Sequence, residues 1–167
     1  DPLVSWGCGE HVHEPLIQST LITTDTDLSF KNDLATSYEA SEDGMTWTFH
    51  IRPGMKWVNS KGEVIGDVTA NDFVFAWRQL LNPVNAAEYY AFATVFKNGQ
   101  AYYDYASGVE GAPEVKIEDV GFKATDDYTL VCELEDYLPY FLQYVKFEVM
   151  APVYEPFYTE VGADLFG

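Results

Sequence analysis

The sequence predicts an α/β fold at the α+β margin, a mixed sheet with flanking helices, and three observations lead there. Segments with strand period alternate with segments of helix period along the whole chain, so neither a bundle nor a sandwich fits. A hydrophobic share of 47% over 167 residues supplies a core for one domain of ordinary size and too little for two. No low-complexity tract, repeat or Pro/Ser-rich linker interrupts the pattern.

Taken in order, residues 1–13 read as irregular, with Gly7 and Gly9 close together, and 15–24 as a short helix end running into a strand. Residues 35–41 and 46–52 form a hairpin. Thr46-Trp47-Thr48-Phe49-His50-Ile51 alternates aromatic and β-branched positions, and Ser41-Glu42-Asp43-Gly44 supplies the turn. A second turn, Asn59–Gly62, joins 55–58 to 63–65. Thr69 starts a helix, with its hydroxyl placed to cap a backbone N–H and Asp72 adding negative charge in the first turn. Phe73, Ala76, Trp77 and Leu80 recur on one face, and Pro83 stops the helix after Asn82. Residues 86–96 read as a second helix ended by Asn98-Gly99, and 100–106 as a short third. Strands at 115–124 and 128–135 pair across the Thr125-Asp126-Asp127 turn. Pro139 opens a helix to Lys146, and 153–161 forms the last.

Charge excludes whole classes of function. Twenty-seven acidic residues against 9 basic ones give a net charge of -18, which cannot assemble the basic surface that nucleic acid or an anionic membrane requires. No stretch approaches the run of about 18 apolar residues that a membrane helix needs. The first residues carry no basic or apolar leader, which suits an intracellular protein or the mature or trimmed form of an exported one. Cys8 and Cys132 lie far apart and match no metal or redox spacing.

Candidate chemistry is sparse. His11 and His13 could face one way along an extended segment, but a structural metal site wants four ligands and only His50 remains, in a distant hairpin. Acidic pairs such as Asp126-Asp127 arise freely among so many carboxylates and here read as turn chemistry. No phosphate loop, nucleophile elbow or Cys/His pair can be placed. The expectation is no catalytic residue, no metal and no cofactor.

Aromatic residues are plentiful: 12 Tyr, 11 Phe and 4 Trp. Trp47, Trp57 and Trp77 read as one core, with the Phe73/Trp77/Leu80 stripe packed against the sheet. Tyr89-Tyr90 and Tyr102-Tyr103 differ. Adjacent helical residues point about 100° apart, so one of each pair should reach the surface as an amphipathic platform. Trp6 has no local pattern to bury it. Either another part of a larger protein covers it, or it lines a binding cleft.

The run from Tyr38 to Trp57, with Glu42-Asp43-Gly44-Met45-Thr46-Trp47-Thr48-Phe49-His50-Ile51-Arg52-Pro53-Gly54 at its centre, resembles a hallmark stretch of the family 5 solute-binding proteins. These are the oligopeptide-, dipeptide- and nickel-binding components of ABC importers. Asp67-Val68-Thr69-Ala70-Asn71-Asp72-Phe73 is similar to the helix start that follows in the family. Asp1-Pro2, Glu14-Pro15-Leu16, the run Val120–Leu130, Pro139-Tyr140-Phe141-Leu142 and Met150-Ala151-Pro152-Val153 continue the series in order.

The resemblance implies an N-terminal portion of a two-lobed protein with a type II periplasmic-binding-protein-like fold. Residues 1–13 would belong to the main first lobe at the cleft edge, and 14–167 to the extra subdomain. It further implies binding without catalysis: an extended oligopeptide held between lobes by main-chain hydrogen bonds, then delivered to an ABC permease in the membrane. Ser5, Trp6, Gly7, Cys8, Gly9 and Glu10 match the segment that skirts the ligand, and Tyr89 or Tyr90 matches a cleft-facing tyrosine. The protein is then expected to be a monomer outside the cytoplasm, as a Gram-positive cell-surface lipoprotein or a periplasmic protein. The 58–66 loop and Ser5-Trp6-Gly7 favour the former. Alternatives are a nickel, metallophore or oligosaccharide binder of the same family, or a small acidic enzyme or independent interaction domain.

Overall fold

The computed structural model describes residues 18–162. At its centre is a four-stranded sheet in the order β3 (Ala35–Ala40), β4 (Thr46–Ile51), β8 (Thr129–Glu133), β7 (Phe122–Asp126). The pairings are all antiparallel where the sequence suggests a mixed sheet, and strands interleaved with helices along the chain keep the fold at the expected α+β margin. Two-stranded ribbons flank it: β1 (Ile22–Thr24) with β2 (Phe30–Asn32), and β5 (Lys56–Val58) with β6 (Val64–Asp67).

The first two expected hairpins are present, and their turns form for the expected reasons. Ser41 Oγ donates to Asp43 Oδ1 at 2.5 Å, and the Met45 N–H donates to the same oxygen at 3.0 Å. Gly44 then takes φ 69°, a left-handed conformation natural to glycine. In the second turn the Asn59 side chain accepts from the N–H groups of Lys61 and Glu63 at 2.9 and 3.0 Å.

Register places one face of the sheet inward. Tyr38 opposes Phe49, Phe49 opposes Leu130, Trp47 opposes Cys132 and Cys132 opposes Phe122. Because strand side chains alternate, Thr46, Thr48, His50, Thr129, Val131 and Glu133 take the other face. Onto the inner face packs α1 (Ala70–Leu80), whose Phe73, Trp77 and Leu80 are fully buried as the stripe predicts. A capping box starts this helix: the Thr69 N–H donates to Asp72 Oδ2 at 2.7 Å, and the Thr69 hydroxyl lies 3.2 Å from the same oxygen.

Trp77 is the hub of the core. Its ring stacks on Phe96 at 4.9 Å and meets Phe122 edge-on at 5.6 Å, and its indole N–H donates to the Met150 carbonyl at 3.0 Å. Phe141, on α4 (Phe141–Val145), links Phe96 to Trp47 and Phe49. Trp47 and Trp57 are only partly buried and pack at its margin, Trp57 against Tyr154 at 5.8 Å. Cys132 is a fully buried free thiol whose acidity burial suppresses strongly, so it is inert core.

Several boundaries differ from expectation. Residues 86–96 are not one helix: a 3₁₀ turn covers Pro83–Asn85, Ala86 turns left-handed at φ 48°, and only α2 (Ala91–Thr94) is helical. Asn82 and Asn85 act just before this segment. The Asn82 side chain accepts from the Val84 N–H, and the Asn85 amide donates to the Gln79 carbonyl, which holds a tight turn that the chain leaves left-handed at Ala86. α3 (Gly99–Ala106) stands as expected. The third hairpin is shorter than the sequence suggests, since Ile117–Asp119 is a 3₁₀ turn and β7 begins only at Phe122. Pro139 precedes α4 instead of opening it, and α5 (Glu155–Val161) carries Pro156 in its first turn. The helix end expected before β1 is not seen over 18–21, and β2 was not foreseen because its three residues are all exposed and show no alternation.

Candidate ligand-binding face

Of the sequence-derived candidates, Ser5, Trp6, Gly7, Cys8, Gly9 and Glu10 lie outside the described residues, as do His11 and His13. Tyr89 and Tyr90 are described, and the structure separates them. Both are half-buried, so neither simply points to solvent. The Tyr89 ring meets Phe92 edge-on at 5.9 Å and Phe147 at 5.6 Å. Phe92 in turn stacks on Phe147 at 4.9 Å and touches Tyr144 at 4.7 Å, and Tyr144 meets the exposed Tyr140 at 5.9 Å. Tyr89 therefore belongs to an aromatic layer between the 86–98 segment and α4. Sequence reasoning did not assemble this layer, although Tyr89/Phe92 and Tyr144/Phe147 each show the three-residue spacing that puts rings on one helical face.

Tyr90 faces elsewhere. Its ring lies flat on Tyr103 of α3, with centroids 4.0 Å apart and planes 8° from parallel. What brings these rings together is the corner at residues 96–99. Asn98 takes a left-handed φ of 60°, its N–H donates to Glu135 Oε2 at 2.7 Å, and its side-chain amide donates to the Asp119 carbonyl at 2.9 Å. Gly99 follows, and a Cβ there would stand 2.7 Å from the Ala93 carbonyl oxygen and 3.0 Å from the Thr94 Cα. Only glycine lets α3 fold back this closely, and the fold-back lays Tyr103 over Tyr90.

The charged surface offers less. An open depression of about 480 Å³ runs between the 97–98 corner and the outer face of β7 and β8. Its two lysines are already engaged: Lys97 Nζ lies 3.2 Å from Glu133 Oε2, and Lys123 Nζ lies 3.6 Å from Glu133 Oε1. The hydrogen bond from Lys97 holds the Glu133 carboxyl below its usual range, opposed by burial and helped by the charge of both lysines. With Glu114, Glu118 and Asp119 also in the wall, the depression has no surplus cation for an anionic ligand. Among the described residues no group of three or more His, Cys, Asp or Glu could hold a metal ion, and no helix is long and apolar enough to cross a membrane. Asp72 is the one buried carboxylate among the described residues. Burial pushes its acidity down, raising its pKa, and the nearby Glu155 adds to this. The Thr69 backbone N–H and hydroxyl, and the Trp57 indole close by, act in the opposite direction. The Trp57 N–H makes no hydrogen bond of ordinary geometry, so its effect on Asp72 is that of a nearby dipole. This carboxylate serves the cap of α1.

Residues 29–164 match the family described as bacterial extracellular solute-binding proteins, family 5, middle region. The chain belongs to this family. Within family 5, it is 34% identical over 144 residues to the oligopeptide-binding protein AmiA of Streptococcus pneumoniae, which covers 86% of this chain and 21% of AmiA. It is 37% identical over 123 residues to the oligopeptide-binding protein OppA of Bacillus subtilis, covering 73% of this chain and 20% of that one. The crystal structure of Haemophilus influenzae OppA in complex with RPPGFSPFR superposes with a TM-score of 0.83 at 31% identity, covering 97% of this chain and 29% of that chain. The chain spans about a fifth of the length of the curated relatives it matches. Family 5 members are solute-binding proteins of the extracellular or periplasmic space.

Proposed function

We propose that this chain forms one wall of the substrate-binding protein of an ABC importer, which captures extended oligopeptides between two lobes and delivers them to a membrane permease. The observation that carries this reading is the match over 97% of the chain, at 31% identity, to a relative crystallised with RPPGFSPFR. Physically, an extended peptide suits such a protein because every residue offers the same N–H and C=O groups, so main-chain bonding tolerates varied side chains. The strong negative charge is neutral on this point, since main-chain recognition does not require a complementary surface.

In this reading residues 1–13 belong to the main lobe at the cleft edge and 14–167 to the extra subdomain. Ser5–Glu10 skirt the ligand, with Trp6 as a cleft-lining ring. Of the two tyrosines Tyr90 is the candidate for ligand contact, since among the described residues one ring, Tyr103, covers it, whereas Phe92 and Phe147 both engage Tyr89. The protein acts as a monomer outside the cytoplasm, as a Gram-positive cell-surface lipoprotein or a periplasmic protein. The similarity to the oligopeptide-binding proteins of S. pneumoniae and B. subtilis and to the periplasmic one of H. influenzae supports a place outside the cytoplasm.

The test is to purify the complete gene product, denature it and identify by mass spectrometry what it releases. A mixture of short peptides is the expected result. Stoichiometric recovery of a metal complex or an oligosaccharide in their place would overturn the peptide reading. The chain of 167 residues by itself is expected to bind peptide weakly or not at all, because one wall of a cleft supplies few of the contacts.

A further inference from the structure

We propose that Tyr103 is a positioning residue for ligand binding: by its flat stack it holds Tyr90 in the orientation that meets the ligand, without touching the ligand itself. The proposal rests on the peptide-binding reading of Tyr90 given above and extends it to a residue that the sequence did not link to the site.

Tyr90 sits at the leading edge of the short helix α2, on a segment that follows the tight turn held by the Asn82 and Asn85 side chains. Such a position leaves a half-buried ring free to change rotamer unless something fixes it. Among the described residues its ring contact is Tyr103, at 4.0 Å and 8°. The neighbouring Tyr89 is held by two phenylalanines, so the two adjacent tyrosines are fixed by different elements. No hydrogen bond to another described residue engages the hydroxyl of Tyr90 or Tyr103. The contact is thus one of ring faces.

The contact is also built at some cost. Tyr103 reaches Tyr90 only because α3 folds back through a left-handed Asn98 and a glycine pressed against the backbone of α2. A non-glycine residue in the left-handed region carries a conformational penalty, smallest for Asn and Asp. The hydrogen bonds from Asn98 to Glu135 and Asp119 offset it here. Binding affinity falls when a side chain must be immobilised in the complex, and a ring already fixed in the free protein avoids that loss. The stack is thus a device for preorganisation.

The experiment uses the complete gene product and a fluorescent mixed pentapeptide library. Tyr103→Ala is expected to weaken binding about 2- to 10-fold, the range for freeing one rotamer-rich side chain. Tyr103→Phe, which keeps the ring face, should bind within about twofold of the parent. In a Tyr90→Ala background, Tyr103→Ala should add no further loss, since the two act through one ring. A merely structural role would lower melting temperature without this pattern, and an additive loss in the double variant overturns the proposal. Unchanged affinity in Tyr103→Ala also overturns it while leaving the peptide reading intact. A parent protein that binds no library peptide overturns both. Should Tyr103→Ala fail to fold, Tyr103→Leu takes its place. NMR of labelled tyrosine then supplies a ligand-free reading: the Tyr90 ring signals should lose their ring-current displacement, and signals left unmoved would refute the stack as the fixing contact.

Discussion

Replacing Gly99 with Ala sets two effects against each other, and the structure decides between them. Alanine favours helix over glycine by about 1 kcal/mol in a helix interior, and it also lowers the entropy of the unfolded chain. Gly99 stands at the first position of α3, where the helical gain is smaller, and its backbone conformation is one that alanine can adopt. The favourable side thus comes to about 1 kcal/mol at most. Against it stands the space. The added methyl would lie 2.7 Å from the Ala93 carbonyl oxygen, 3.0 Å from the Thr94 Cα and 3.1 Å from the Thr94 carbonyl oxygen. All three are backbone atoms, so no side chain can rotate away. The corner between α2 and α3 must open by some tenths of an ångström, which strains the 2.7 Å hydrogen bond from the Gly99 N–H to the Phe96 carbonyl. Overpacking of this kind costs about 1–3 kcal/mol. The net expectation is a loss of about 1–2 kcal/mol and a fall in melting temperature of about 3–7 °C for a domain of this size. Urea unfolding followed by tryptophan fluorescence measures the first, and near-ultraviolet circular dichroism reports whether the Tyr90–Tyr103 stack survives. A variant as stable as the parent, or more so, would refute the steric reasoning and show that the corner is looser than its distances imply.

Other expectations are shorter to state. Trp77→Phe removes the donor to the Met150 carbonyl and leaves space beside Phe96 and Phe122, so stability should fall by about 2–4 kcal/mol in a denaturant melt. A loss below about 1 kcal/mol would show that water or a neighbour takes over the carbonyl. Asp72 carries the opposite pH signature to a salt-bridged carboxylate: its pKa is raised on folding above 3.8, chiefly by burial. The folded state binds that proton more tightly, so the Asp72 contribution is greatest below the unfolded value and declines as pH rises through the folded one. The stability of the parent minus that of Asp72→Asn should therefore fall with rising pH across that window, and a value that rises would reverse the assignment. Gly121→Ala drives a methyl into the Glu133 carbonyl oxygen and the Lys97 backbone, and should lower soluble yield and melting temperature more than Gly99→Ala does. In the complete gene product Trp6→Ala should weaken peptide binding if the ring lines the cleft, and unchanged affinity would return Trp6 to a packing role.

Legibility in the sequence followed the range of the forces involved. The β3–β4 and β5–β6 hairpins and the cap of α1 were readable because the Ser41, Asp43, Asn59 and Asp72 side chains act on backbone groups within a few residues of themselves. The same kind of local chemistry acts just before the expected 86–96 helix. Over that stretch the apolar spacing suggested a helix, but Asn82 and Asn85 hold a tight turn that the chain leaves left-handed at Ala86. The candidate site divided along the same line. Tyr89 and Tyr90 could be named from a resemblance, but their different surroundings depend on Phe147 and Tyr103, which approach from other elements.

By itself, then, the sequence determined the fold class, the hairpins and first helix, the inward stripe of Phe73, Trp77 and Leu80, and the family. All of these are written in residue identity and short-range order. Tertiary structure alone decided that β8 inserts between β4 and β7, that Phe96, Phe122 and Phe141 close the core around Trp77, and that Tyr103 lies on Tyr90. Such contacts join residues far apart in the chain. They arise only when burial of the whole apolar surface selects one arrangement, and no local pattern encodes which distant ring will be the neighbour.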